Sequence, residues 1–218
     1  TLFITALLIA ITEVAHGHSH NDLTVVFMFP VLKNKVSGIN IVDTAGVKRL
    51  AAALMAVRHI NNKKDGFYDD LILPRFRFIF YDSKRSTEQS WWNTAQFSSI
   101  YHENKREENY AIVGPASSSP AVHVNRALQD AKIQVAQIGY SSTSPKLAEA
   151  QLFARTVPND ILKADILYDL SKQEEVFFPC LIHGDDDYSN GLAEEYKKYY
   201  CKDHVCTHRN VRFSKFQT

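Results

Sequence analysis

Three consecutive serines in the middle of the chain, with Ser118 at their centre, could bind a small anion. They stand between a short apolar run that ends at Val113 and a segment whose apolar residues repeat at helical spacing. A helix beginning there presents unpaired backbone N–H groups and the positive end of its dipole, which suit a carboxylate or a phosphate. Ser119 is the predicted N-cap because Pro120, favoured at the first helical position, follows it. The alternative is that the serines only cap the helix.

A second polar loop, residues 139–145, carries the hydroxyl groups of Ser141 and Thr143. Ligands of open parallel sheets bind beyond the carboxyl ends of strands, where the chain direction switches. The loops after Phe29 and Val113 are therefore expected to flank a ligand site.

The elements that must position these loops alternate between strands and helices. Strands are predicted at Leu23–Pro30, Arg75–Tyr81, Ala111–Val113 and Ile133–Ile138, and helices at Val42–Asn62, Thr87–Glu103 and around Ala121–Leu128. Val47 and Trp91 are assigned to the buried faces of the first two helices. This alternation implies repeated βαβ units, so the predicted fold class is α/β with a doubly wound parallel sheet.

The last third of the chain repeats the alternation. A helix is predicted at Ile161–Lys172, a strand-like run at Val176–His183, a loop at Gly184–Gly191, a helix at Leu192–Tyr200 and a partial strand at Val205–Phe213.

Cys180 lies in an apolar run and is expected to be a buried thiol. Cys201 and Cys206 can close a short disulfide loop if the geometry allows. Residues 185–187 are three aspartates, and a solvated acidic loop is a better reading of them than a Ca²⁺ site.

Composition bounds the class of protein. The 218 residues leave room for one large domain, or one domain and part of another, and a net charge of +1 argues against a nucleic-acid partner.

Residues 2–11 are apolar and too short to cross a bilayer, but they suit a secretory signal cleaved after Gly17. We therefore predict a signal peptide at residues 1–17, with a buried strand or a truncated gene product as alternatives. His16, His18 and His20 have the spacing of a flexible terminus, so no metal site is predicted.

Three phrases, GPASSSPAV, IGYSSTSPKLA and FARTVPND, occur in this order between residues 114 and 160. In combination they resemble the first lobe of the Venus-flytrap ligand-binding module of class C G-protein-coupled receptors, especially metabotropic glutamate receptors. The similarity spans about Val25 to Val211 and extends more distantly to periplasmic amino-acid-binding proteins and natriuretic-peptide-type receptors. It implies a type I periplasmic-binding-protein fold, with lobe one at residues 23–160 and an incomplete start of lobe two at 161–218.

The resemblance also implies a ligand site. Ser118 would bind the carboxylate of an amino acid, and Ser141 and Thr143 would contact the ligand from the next loop. Asp160 resembles the acidic residue that takes the ammonium group, and Tyr188 would close over the ligand from lobe two.

Arg49 matches the arginine that metabotropic receptors aim at the distal group of glutamate. An exposed helix arginine is the alternative, because Ala45 departs from the tyrosine of some relatives and Lys48 is an equally near cation. By the same resemblance, Cys206 is placed like a cysteine that bridges to a separate cysteine-rich domain.

The expected function is that of an extracellular receptor region that senses a free amino acid or analogue by lobe closure. The signal would pass to a membrane-spanning part absent from this chain, and the full receptor would be a homodimer through lobe one. No cofactor is expected. The alternatives are a secreted or periplasmic small-molecule-binding protein, a natriuretic-peptide-receptor-like module without amino-acid specificity, and a purely structural dimerisation module. A hydrolase is disfavoured because Ser118 lacks the Gly-x-Ser-x-Gly elbow.

Overall fold

Strands and helices alternate along the chain in the computed structural model, which describes residues 22–34, 40–70, 75–104, 109–176, 179–203 and 210–213. The strands are β1 (Leu23–Phe29), β2 (Leu32–Asn34), β3 (Asn40–Val42), β4 (Phe76–Asp82), β5 (Asn109–Val113), β6 (Ala136–Gly139), β7 (Phe153–Arg155), β8 (Leu181–Gly184) and β9 (Asn210–Phe213). The helices are α1 (Thr44–Asn61), α2 (Thr87–Asn104), α3 (Ser118–Asp130), α4 (Ile161–Gln173) and α5 (Asp187–Asp203), with a 3₁₀ turn at Pro145–Leu147. The predicted signal peptide, the three N-terminal histidines and Cys206 lie outside the described residues.

The chain divides into two compact units. The first runs to Ser142 and includes Gln151–Val157, and the second comprises Thr143–Ala150 and the residues from Pro158 onward. Whether these units correspond to the two predicted lobes stays a prediction. Within the described residues, no helix is both long and apolar enough to cross a membrane.

A parallel sheet forms the centre of the first unit, and its described strands lie in the order β4-β1-β5-β6-β7. Strand β1 is buried along its whole length and pairs in parallel with both neighbours, so that Val25 lies opposite Phe78 on one side and Ala111 on the other. Parallel neighbours cannot be joined by a hairpin, so the chain must cross over between them. Helices α1 and α2 lie in those crossovers.

Alternate residues of β1 point into two separate cores. Val25 and Phe27 pack with the α1 residues Val57 and Ile60 on one face of the sheet. On the other face Val26 and Met28 pack with residues of α2 and α3, namely Phe97, Tyr101, Val124 and Leu128. Each such side chain contributes on the order of 1.5–3 kcal/mol when fully buried. Helices therefore cover both faces, and the predicted doubly wound α/β fold class is confirmed.

Helix α1 begins at Thr44, two residues after the predicted start, because Asp43 caps it. The Asp43 carboxylate accepts hydrogen bonds from the backbone N–H groups of Ala45 and Gly46. Gly46 lies so close to the end of β1 that an added Cβ would be 1.7 Å from the Pro30 carbonyl oxygen. This close approach puts Gly46 on the buried face and turns Val47 outward to 40% exposure, so the prediction that Val47 is buried is wrong.

The buried face of helix α2 differs from the prediction at one position, Trp91. Ser90 and Thr94 are buried, and the Thr94 hydroxyl donates to the Ser90 carbonyl oxygen. The small side chains thus lie on the inner face, and Trp91 and Trp92 are 52% and 59% exposed. The prediction that Trp91 faces the core is therefore wrong.

The second unit has its own small core between α4 and α5, formed by Ala164, Tyr168, Tyr196 and Tyr200. Strands β8 and β9 pair in parallel. Cys180 lies just outside the strand, before β8, and is an exposed free thiol, so the prediction that it is buried is wrong. Cys201 is disulfide-bonded.

Gly114, at the end of β5, is predicted to be intolerant of a side chain. Its φ is +109°, and an added Cβ would lie 2.3 Å from the Met28 carbonyl oxygen. Gly66 also has a positive φ, of +79°, but nothing lies within 4 Å of its Cβ position. We expect Gly66→Ala to cost about 1–2 kcal/mol through backbone strain, and Gly114→Ala to cost at least about 1 kcal/mol more.

The measurement is urea denaturation followed by tryptophan fluorescence, because both tryptophans lie on α2 in the first unit. Equal losses of unfolding free energy in the two variants would show that the close approach at Gly114 is not a constraint.

Candidate functional site

Asp160 lies at the centre of a polar cluster in the second unit. Its carboxylate is buried, and its Oδ2 accepts hydrogen bonds from the Thr143 hydroxyl at 2.7 Å and from the Tyr188 hydroxyl at 2.8 Å. The Lys163 Nζ lies 2.9 Å from Oδ1. We call Thr143, Asp160, Lys163 and Tyr188 the carboxylate cluster. It brings together three of the predicted site residues and adds Lys163, three residues after Asp160, which sequence analysis missed.

The start of helix α4 leaves the Asp160 carboxylate available to these partners. Asp160 occupies the N-cap position, yet its side chain accepts no hydrogen bond from the helix backbone. Asn159 accepts the Ile161 N–H instead, at 3.1 Å. The backbone also fixes the Thr143 loop, because the Asp160 N–H donates to the Thr143 carbonyl oxygen at 3.0 Å. Thr143 is therefore tied to Asp160 through both its main chain and its side chain.

Tyr188 lies in the first turn of α5, which begins at Asp187, five residues before the predicted start at Leu192. The helix begins early because the Asp186 carboxylate accepts hydrogen bonds from the N–H groups of Tyr188 and Ser189. Asp186 is thus a helix cap. Among the described residues, no group of three or more histidine, cysteine, aspartate or glutamate side chains could hold a metal ion.

The 3₁₀ turn that follows Thr143 packs against α5. Lys146 in this turn forms an ion pair with Asp187 at 3.3 Å. Gly191 allows a close approach, since a Cβ there would lie 3.1 Å from Lys146 Cγ and 3.3 Å from Ser144 Oγ. These contacts hold the Thr143 loop and Tyr188 in one rigid arrangement within the second unit.

The electrostatics of the cluster favour an ionised carboxylate among neutral hydroxyl donors. Burial alone would raise the pKa of Asp160, but hydrogen bonds from Thr143, Lys163 and Tyr188 outweigh burial and lower that pKa below its usual value. Burial, together with the hydrogen bond to Asp160, raises the pKa of Tyr188. The cluster therefore holds a buried negative charge at neutral pH, with an ammonium group of its own chain on one oxygen.

In the first unit, Ser118 is the first residue of helix α3, and its anion-binding role stays a prediction. Ser117, with extended backbone angles, is the N-cap, so the prediction of Ser119 is wrong. Pro120 is tolerated at the third helical position because the N–H groups of the first turn have no partner within the helix. Ser118 itself is buried at the helix N-terminus, with 9% of its surface exposed.

Ser141 and Ser142 tie the loop after β6 to the turn before α3. The Ser141 hydroxyl donates to the Ala116 carbonyl oxygen, and the Ser142 hydroxyl donates to the Pro115 carbonyl oxygen at 3.2 Å. The predicted residues Ser118 and Ser141 are thus on two loops of the first unit that are bonded together. The loop after β1 is also fixed, because Asp82 accepts hydrogen bonds from the N–H groups of residues 31 and 32.

Arg49 extends from α1 over a half-buried tyrosine of the first unit. Its guanidinium carbon lies 5.5 Å from the ring centre of Tyr140, a cation–π distance. Its Nη1 atom is buried and has no hydrogen-bond partner among the described residues. Arg85 is nearby and forms an ion pair with Asp43, and the hydrogen bond from Arg85 is the main cause of a lowered pKa at Asp43.

Burial raises the pKa of Tyr140 against the opposing effect of the charges of Arg49 and Arg85. Sequence analysis did not single out Arg85, Asp43 or Tyr140.

A cavity of about 600 Å³ lies beside β8 in the second unit. Its walls are largely apolar and include Leu167, Pro179, Leu181, Ile182, Leu192 and Ala193. Tyr188 also lines it. Tyr188 thus contributes its ring to an apolar wall and its hydroxyl to Asp160.

Helices on both faces of a parallel sheet, with polar turns beyond the carboxyl ends of β5 and β6, define a lobe of the periplasmic-binding-protein type. The family described as receptor family ligand binding region matches residues 48–214, and the chain belongs to that family. This is a family of receptor regions, not of enzymes.

Two relatives are receptors of class C. The chain is 25% identical over 208 residues to the probable metabotropic glutamate receptor mgl-1 of Caenorhabditis elegans, covering 85% of this chain and 21% of that protein. It is 30% identical over 99 residues to G-protein coupled receptor family C group 6 member A of Carassius auratus, covering 44% of this chain and 11% of that protein. The predicted membership of the class C Venus-flytrap regions is confirmed.

The hydrogen bonds of the carboxylate cluster predict a measurable pKa change. Removing one donor with Tyr188→Phe should raise the pKa of Asp160, because burial continues to disfavour the charged form while one stabilising bond is lost. A lowered pKa in the folded state contributes stability above the unfolded value of about 3.9, and that stability is lost as the pH falls through the folded value. Tyr188→Phe should therefore shift the acid unfolding of the second unit to higher pH.

Carboxyl ¹³C NMR titration measures the pKa directly. Tyr196→Phe is the matched control, because the Tyr196 hydroxyl bonds to Ser171 at 2.7 Å instead of to Asp160. An Asp160 titration that moves equally in both variants would contradict the assignment.

Proposed function

We propose that this chain is the extracellular ligand-binding region of a receptor and that it recognises a free amino acid or a close analogue. The observation that carries the proposal is the buried carboxylate of Asp160, which receives two hydroxyl hydrogen bonds and one cation. A buried carboxylate is costly unless it is paired, and such groups are concentrated at functional sites.

The carboxylate cluster suits the α-ammonium group of an amino acid. An ammonium group has three N–H donors and requires acceptors, and the Asp160 carboxylate supplies a full charge. The Thr143 hydroxyl and carbonyl groups are alternative acceptors beside it. Tyr188 adds an aromatic face in the same cluster, and a cation over an aromatic ring is attracted by about 0.5–2 kcal/mol.

In the first unit, Ser118 is proposed as an anion-binding position. Ser118 suits the α-carboxylate, since helix α3 directs backbone N–H groups and its dipole toward an anion there. Ser141 contributes from the neighbouring loop. Lobe closure on binding, and a homodimer through lobe one, are supported by the resemblance and stay predictions.

Loss of a charge-assisted contact should weaken amino-acid binding strongly. In the complete protein, Asp160→Asn and Thr143→Ala are each expected to weaken binding by about 10- to 100-fold, because one charged hydrogen bond is worth about 1.5–3 kcal/mol. The measurement is calorimetric titration with a panel of amino acids. Asp169→Asn, an exposed residue of the same helix, should leave affinity unchanged.

Absence of binding at millimolar concentration, or binding indifferent to Asp160→Asn, would favour the module without amino-acid specificity.

Arg49 is proposed to select ligands with an acidic side chain. Its buried Nη1 has no partner among the described residues, and a guanidinium binds a carboxylate through two parallel hydrogen bonds. Arg49→Ala should reduce the preference for L-glutamate over L-alanine by about 10-fold or more, measured as the ratio of their dissociation constants.

Lys48→Ala is the control, because Lys48 is the adjacent cation and is exposed. An unchanged ratio in Arg49→Ala, or an equal change in Lys48→Ala, would show that Arg49 does not determine specificity.

A further inference from the structure

Lys163 already forms an ion pair with the Asp160 carboxylate, which we assign to the ligand's ammonium group. Its Nζ lies 2.9 Å from Asp160 Oδ1, whereas the two hydroxyl donors are both on Oδ2. A lysine Nζ is itself a primary alkylammonium group with three N–H donors, like the α-ammonium of an amino acid. The chain thus places a chemical equivalent of the expected ligand group on its own site.

Of the three partners of Asp160, Lys163 is the one that can leave. Its side chain is 59% exposed, while the Asp160 side chain is 6% exposed. The lysine stem is long and flexible, and an i,i+3 pair on a helix is a weak contact that water can replace at the lysine end. The Thr143 hydroxyl is held by a loop that is also bonded to Asp160 through the backbone. Tyr188 is held by the start of α5.

We propose that Lys163 is an internal competitor for the ammonium site and that it sets the affinity for ligands bearing an amine. This inference rests on the proposed function. Two ammonium groups at one carboxylate oxygen repel each other, so a ligand ammonium takes Oδ1 only when Lys163 turns outward. When the ligand leaves, Lys163 returns and the buried carboxylate is never left unpaired. The nearby Lys146 does not serve this purpose, because it is paired with Asp187.

If Lys163 competes with the ligand for Asp160, removing the Lys163 charge should increase the affinity for ligands that bear an amine. In the complete protein, Lys163→Met keeps a similar chain length without the ammonium group, and it should strengthen binding of L-glutamate and L-alanine by about two- to ten-fold. The 2-hydroxy counterparts, 2-hydroxyglutarate and lactate, carry no amine and should not gain. Lys163→Arg keeps the cation and should stay within about two-fold of the parent protein.

A second readout follows the lysine itself. On saturation with L-glutamate, the ¹⁵Nζ resonance of Lys163 should move to the position of an exposed lysine, whereas the resonance of Lys146 should not move. Unchanged or weaker amino-acid binding in Lys163→Met, or an equal gain for the hydroxy acids, overturns the inference.

Different outcomes distinguish a wrong ammonium site from a wrong role of Lys163. If Asp160→Asn abolishes amino-acid binding while Lys163→Met is neutral, the ammonium site stands and the competitor is wrong. If Asp160→Asn binds amino acids as the parent does, or if the parent binds none, both the proposed function and the inference are wrong.

Discussion

The constraint on which the first unit depends is the burial of β1 on both faces and both edges. All seven of its residues are buried, and it pairs in parallel with β4 and β5. Parallel pairing forces a crossover of the chain after each strand, and burial of both faces requires helices on both sides. The crossovers bring the ends of β1 and β5 to the same edge of the sheet. Polar loops are therefore collected at that edge by the pairing pattern, before any side chain is considered.

The close packing at this edge explains why its glycines are found where they are. A Cβ added at Gly46 would clash with the backbone of Pro30, and one added at Gly114 would clash with the backbone of Met28. Both clashes lie near the end of β1. Gly46 allows α1 to start directly beside the strand, and Gly114 allows β5 to turn toward α3. These two close contacts determine where α1 and α3 lie. They therefore also determine the positions of Arg49 and Ser118, which lie a few residues after Gly46 and Gly114.

Much of this architecture could be predicted from the sequence, and the errors have local causes. The apolar run of β1 and the helical spacing of α1 and α2 identified the right elements. Val47 and Trp91 were assigned to the wrong face because Gly46 and Ser90, which carry little hydrophobic signal, occupy the neighbouring inner positions. Strand β7 was not predicted, since its three residues carry too short a pattern.

The site could be predicted only as far as its residue types matched a known pattern. The sequence indicated Thr143, Asp160 and Tyr188, and the hydroxyl groups of Thr143 and Tyr188 both donate hydrogen bonds to Asp160. Lys163 was missed because a lysine in the first turn of a helix usually extends into water. Its partner is set by the direction of the Asp160 side chain, and spacing alone does not determine that direction.

The direction of the Asp160 side chain indicates that the start of α4 has a role other than stabilising the helix. An aspartate at an N-cap ordinarily accepts a backbone N–H bond of the first turn, and losing such a cap costs about 1 kcal/mol. Asp160 makes no such bond, although it occupies the cap position. Its charge is instead satisfied by two hydroxyl groups and one lysine. Asn159 takes over the capping role by accepting the Ile161 N–H, so the Asp160 carboxylate is directed to side chains and not to the helix backbone. A buried charge held by side chains in this way supports a ligand-binding role for Asp160 without reference to any resemblance.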